Sequence, residues 1–186
     1  MKFEEVKTGD TILVNNDSFL SRTIRKVMKK WGKKNGYDTS VIYSHAGRCI
    51  WIAGELYVFE SVDNGYQPRL FRLHYPWNYA DFAIMRRKTP LTAKETKKTT
   101  HFCLHLDTIS LGYQYWNFIQ WLLLVYLGIN TFEKRKEDND KFEYCYESER
   151  EARKNLNPDY YGNVDQTDVF QLLYDQNYEI IYKSKQ

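Results

Sequence analysis

Apolar positions change their spacing several times along the chain, and each change marks an element. Thr11-Ile12-Leu13-Val14 follows the turn-like Thr8-Gly9-Asp10 and predicts a short strand. Leu20, Ile24, Val27, Met28 and Trp31 then recur at three- and four-residue intervals, the signature of an amphipathic helix. Ser18 or Ser21 is positioned to cap it, and Gly32 stands where it is expected to end. Two β-runs follow, Val41 to Ile52 and Leu56 to Ser61, split by Ala53-Gly54-Glu55 as a tight hairpin. Arg69 to Leu73 and Phe82 to Arg86 read as further strands, with Pro76 between them.

The second half is mostly helical by pattern. Thr92 and Glu95 have capping-box spacing, so a polar helix is expected from about Ala93, closing at Gly112. Trp116 to Leu127 is apolar nearly all round and is expected to be buried. Glu133 to Lys141 is a charged run that reads as an exposed loop. Cys145 to about Leu156 suits a helix stopped by Asn157-Pro158, and Asp168 to Tyr174 and Tyr178 to Tyr182 suit a short helix and a last strand. With no repeat, low-complexity stretch or linker, the pattern predicts one α+β domain spanning residues 1–186, a small antiparallel sheet or barrel packed against helices.

Composition narrows the class. The 42% hydrophobic and 17% aromatic content is that of a folded chain and excludes disorder as the main state. A net charge of +3 is too slight for a dedicated nucleic-acid binder, and no specific nucleic-acid contact is expected. Much of the excess lies on one face of the first helix, in Arg22, Arg25, Lys26, Lys29, Lys30, Lys33 and Lys34. That face is either simply solvated or contacts an anionic surface. Three cysteines are too few for a disulfide scaffold and favour a reducing compartment. The N-terminus is not a secretory signal, and Phe118 to Ile129 is too short to span a bilayer. A cytoplasmic location is the default expectation, with virion association or another export route left open.

Three groups of residues are chemically suggestive. The basic face is one. His101, Cys103 and His105 are another, but no second ligand pair at metal-binding spacing accompanies them, so two surface histidines and a core cysteine are expected. The third is Ser44-His45-Ala46-Gly47, Phe59-Glu60-Ser61 and Tyr144-Cys145-Tyr146-Glu147. A cysteine hydrolase needs a thiolate, an imidazole to shuttle its proton and a third group to orient the imidazole. If Ala53-Gly54 is a two-residue turn, Gly47 lies opposite Glu60, and His45 and Glu60 share a sheet face on a diagonal of roughly 7–8 Å. A three-residue turn would put them on opposite faces. Cys145 at a helix start lies where the dipole and free N–H groups favour a thiolate. Cys49 lies too far along the His45 strand to serve as its partner.

These residues resemble the permuted papain-like cysteine hydrolases, the YiiX/YebB-like group related to NlpC-type cell-wall peptidases. Gly9-Asp10-Thr11-Ile12-Leu13, Leu20-Ser21-Arg22-Thr23-Ile24-Arg25, Ser44-His45-Ala46-Gly47 and Val58-Phe59-Glu60-Ser61 are similar to the family's successive motifs. Leu91-Thr92-Ala93-Lys94-Glu95, Gly112-Tyr113-Gln114-Tyr115 and Cys145-Tyr146-Glu147 continue the series in the same order. The resemblance implies a circularly permuted papain-like fold with Cys145 as nucleophile, His45 as base and acid, and Glu60 orienting His45. It implies no cofactor and no metal. Tyr115, at a family motif position, and Tyr146, where the family usually has Ser, are the candidates for contact with substrate or oxyanion. The segment from Trp116 to Lys141 is longer than the family pattern.

The implied activity is cleavage of a peptide or peptidoglycan-derived amide. The alternatives are a lipid thioesterase or acyltransferase, and an inactive binding or virion protein of the same fold. Contact of Arg22, Arg25, Lys26, Lys29 and Lys30 with an anionic surface belongs to the lipid alternative. The Asn-, Lys- and Tyr-rich composition is compatible with a phage or AT-rich bacterial origin.

Overall fold

In a computed structural model of the chain, residues 2–15, 17–62, 64–76, 81–109, 112–113, 115–130, 142–143, 145–157 and 169–184 are described. A six-stranded antiparallel sheet organises them. Its strands are β1 (Thr11–Val14), β2 (His45–Ile52), β3 (Glu55–Val62), β4 (Gly65–Leu70), β5 (Phe82–Arg87) and a last strand, Tyr178–Lys183, in the spatial order β4-β3-β2-β1-β5-last. Two-residue strands β6 (Gly112–Tyr113) and β7 (Phe142–Glu143) pair in parallel apart from it, which makes the last strand β8. The helices are α1 (Phe19–Lys34), α2 (Phe71–His74), α3 (Ala93–Ile109), α4 (Tyr115–Leu122) continued by a π-helical turn (Leu123–Leu127), α5 (Cys145–Leu156) and α6 (Val169–Leu173).

Alternation along the strands divides the interior. Leu13 of β1 faces a core built with α1, α4, α5 and α6, including Val27, Met28, Trp121, Tyr146 and Phe170. Ile12 and Val14, pointing the other way, join Cys49, Val58, Phe71 and Phe82. A third cluster places Cys103 and Leu106 of α3 on Ile50 and Phe59.

The hairpin between β2 and β3 turns over two residues: Ile52 pairs with Glu55 and Arg48 with Phe59. Ala53 (φ 51°) and Gly54 (φ 83°) both take the left-handed conformation that such a turn demands. This register sets Gly47 against Glu60, and a Cβ on Gly47 would meet the Glu60 Cβ at 3.1 Å and Val58 Cγ1 at 2.5 Å.

Several expectations change. Val41 to Ser44 lie outside the strand, which begins at His45. The strand expected at Arg69 to Leu73 is instead β4, Gly65–Leu70, followed by the helical turn α2. Pro68 fits there because β4 is an edge strand, where a missing N–H leaves no neighbour unpaired. Gly32 does not end α1. Ser18 caps that helix, accepting from the Ser21 N–H at 3.1 Å, and the helix runs on to Asn35 while Gly32 makes room for Phe170.

Trp116 to Leu127 is not buried all round. Trp121, Leu124 and Val125 face the core, whereas Ile119, Tyr126 and Leu127 are exposed, as is Ile129 beyond them. Lys30 lies 3.9 Å above the Tyr126 ring. No helix among the described residues is long and apolar enough to cross a membrane. Glu133 to Lys141 and Pro158 lie outside the described residues.

Candidate active site

His45 is the first residue of β2 and Cys145 the first of α5, and these two element ends meet. Cys145 is near enough to His45 to act on its charge. His45 Nε2 is bonded to Glu60 Oε2, which leaves Nδ1 as the ring nitrogen available to the sulfur. Tyr75 Oη donates to the same Glu60 oxygen at 2.5 Å. Arg69 Nε stands 3.6 Å from Glu60 Oε1, too long for a hydrogen bond. Among the described residues that buried oxygen therefore has no hydrogen-bond partner.

Local sequence explains how each group arrives. The two-residue turn puts His45 and Glu60 on one sheet face. Helix α5 is held on β2 and β3 by Arg48–Glu149 and by Ser61 Oγ donating to Ser148 Oγ at 3.2 Å. As the first residue of α5, Cys145 has an N–H without an intrahelical acceptor, and so does Tyr146. All three cysteines are free and buried.

The electrostatics favour a protonated His45 beside an ionised Glu60. Burial opposes a charge on His45, but its interactions with Cys145 and Glu60 outweigh it, raising its pKa to about 10. Burial alone would raise Glu60, but His45, the bond from Tyr75 and the nearby Arg69 hold it below the ordinary carboxylate value. Cys49 goes the other way: burial and the nearby Asp10 push its thiol well up.

The other candidates fall elsewhere. Tyr146 points into the core and donates its hydroxyl proton to the Tyr43 carbonyl at 2.6 Å, so that proton is not free for an oxyanion. Tyr115 opens α4, and its side chain lies outside what is described. Cys103 is buried against the Tyr66 hydroxyl at 3.4 Å, while His101 and His105 are exposed. Arg22, Lys26, Lys29, Lys30 and Lys33 line the outer face of α1, and Arg25 is half-buried with its guanidinium 3.7 Å from Asp17. Tyr75 and Arg69 escaped the sequence reading. Tyr75 is one of sixteen tyrosines and no local spacing marks it.

With that geometry in hand, the class is a mixed α+β fold in which a six-stranded antiparallel sheet packs against helices. No family model and no curated protein matches the sequence. A solved structure does share the fold. The metalloprotein YiiX from Escherichia coli O157:H7 is similar over 95% of this chain and 97% of its own, with a TM-score of 0.62 at 15% identity. As for a metal, the described residues contain no group of three His, Cys, Asp or Glu side chains able to hold one. Cys145 and His45 supply two donors, short of the three protein ligands that a catalytic zinc site uses.

Proposed function

We propose that the protein is a cysteine hydrolase of the permuted papain-like kind, cleaving an amide through an acyl-enzyme. The observation that carries this reading is an imidazole bonded through Nε2 to buried Glu60, with Cys145 at the start of α5 near enough to act on its charge. Cys145 Sγ, as thiolate, adds to the carbonyl carbon, and the C–N bond then breaks as His45 gives its proton to the leaving amine. Water, losing a proton to His45, displaces the sulfur and releases the carboxylic acid. Backbone N–H groups at the start of α5 hold the oxyanion. Glu60 fixes the ring orientation and stabilises the imidazolium, and Tyr75 in turn holds Glu60. The fold shared with YiiX supports the architecture only; that protein's metal gives this chain no step, because the donors here do not make a set.

The test is labelling with a thiol-reactive acyl probe, read by peptide mass mapping. Cys145 is expected to be modified in the native protein, and His45→Ala to slow this by at least about tenfold through loss of the paired imidazolium. Cys145→Ala should abolish it. Cys49 and Cys103 should react only after unfolding. Cys145 remaining inert while either buried cysteine labels would overturn the reading.

A further inference from the structure

Beside His45 the surface opens into a cavity of about 300 Å³, at the small end of the range for ligand sites. It lies where β2 begins and β3 finishes, next to the first turn of α1. Ser18 and Ser21 come from α1, Ser44 from the approach to β2, and Asn64 and Gln67 from the β3–β4 hairpin. Leu20, Ile24 and Val62 are its few aliphatic residues. Ser21 and Ser44 bond to each other and Ser44 to the Val14 carbonyl, but an acyl chain seated here would strip water from the Asn64 and Gln67 amides without replacing their hydrogen bonds.

Arg69 supplies the permanent positive charge among the lining residues. Its side chain is 36% exposed, and its ion-pair contact is the 3.6 Å approach of Nε to Glu60. His45 and Tyr75 both engage Glu60 Oε2, and the Oε1 that faces Arg69 is too far for a hydrogen bond to it. Among the described residues the Arg69 guanidinium makes no hydrogen bond, so its terminal N–H groups are available to a planar anion. A forked donor of this geometry matches a carboxylate.

We propose that this cavity receives the substrate's acyl side and that Arg69 reads a carboxylate there, making the substrate an acidic peptide amide. The inference rests on the hydrolase reading of Cys145, yet its binding half is separable from catalysis. The probes are fluorogenic tripeptide amides carrying Glu or Asp, against matched Gln or Asn, at each position. At one position the acidic form is expected to be favoured by about tenfold in kcat/KM. Arg69→Met should collapse that ratio through KM, and Arg69→Lys should keep part of it. In a Cys145→Ala background, acidic tripeptides should still bind by calorimetry, and adding Arg69→Met should remove the binding.

Equal cleavage of acidic and amide forms would overturn the proposal. So would a loss of kcat on both forms alike in Arg69→Met, since Arg69 would then act through Glu60. Preferential turnover of a fatty acyl thioester would overturn it in favour of a lipid substrate. Arg69-dependent binding of acidic peptides to a wild-type protein that cleaves none would instead uphold the carboxylate site and sink the hydrolase reading.

Discussion

Arg48 on β2 and Glu149 on α5 are joined by two hydrogen bonds between their side chains, Nε to Oε2 at 3.0 Å and Nη2 to Oε1 at 2.6 Å. Both side chains are 1% exposed. Glu149 also accepts from Thr11 Oγ1 at 2.5 Å and Arg153 Nε at 3.1 Å, and Arg48 donates to the Gly9 carbonyl at 2.9 Å. Arg48 lies three residues after His45, and Glu149 one helical turn after Cys145. The pair therefore fastens the strand bearing the imidazole to the helix bearing the thiol.

Removing Arg48 leaves Glu149 buried with only Arg153 and Thr11 as its remaining side-chain partners among the described residues. Arg48→Met is expected to cost about 3–5 kcal/mol in urea unfolding. Adding Glu149→Leu should cost less than the sum of the two single changes, because the buried carboxylate that has lost the Arg48 fork is then gone. Strictly additive losses would show that the pair is not coupled.

The pH dependence of stability follows from the signs of the shifts. His45 binds its proton more tightly folded, at about 10 against an ordinary 6.5. Its contribution is full below pH 6.5 and is lost as pH rises through about 10. Glu60, lowered by folding, contributes above its ordinary value of 4.5 and loses that contribution as pH falls through its folded value. Thermal melts from pH 6.5 to 10 should decline more steeply for wild type than for His45→Gln. Parallel profiles would mean that His45 is not holding its proton.

Gly47 is where β2 lets Glu60 come close. Gly47→Ala would press its Cβ on Val58 and Glu60, with an expected loss of about 1–3 kcal/mol from overpacking. Labelling of Cys145 should slow as well, since Glu60 must shift away from the His45 ring. Unchanged labelling with unchanged stability would show that the site has slack there.

Ala53 has the opposite character. Its φ of 51° is unfavourable for a residue with a Cβ, and the turn is remote from the site. Ala53→Gly is expected to raise stability by up to about 1 kcal/mol, the left-handed strain relieved outweighing the added freedom of the unfolded chain. Cys145 labelling should stay the same. A destabilised Gly variant would mean the turn is not strained.

Local pattern made much of this legible. The capping serine of α1, the two-residue hairpin and the helix opening at Cys145 each depend on neighbours a few residues away. β4 was less legible, because Gly65, Gln67 and Pro68 lack the apolar alternation of a half-buried strand and pair only as an edge. The apolar segment after Tyr115 misled in its own way. Hydrophobicity announces a helix, but whether every side finds a partner depends on what packs against it, and Tyr126 and Leu127 find none to cover them fully.

The sequence by itself determined the period of two, which puts His45 and Glu60 on the same side of one hairpin once the turn takes two residues, as it does. Only the tertiary structure decided who meets whom. Cys145 comes to His45 across a hundred residues because α5 docks on β2 and β3, held by Arg48–Glu149. Tyr75 and Arg69 reach Glu60 because β4 pairs with β3 and α2 turns back at its end. Periodicity records which side of an element is buried. It carries no information about the distant element that buries it, and contacts of that range are chosen by how whole surfaces pack.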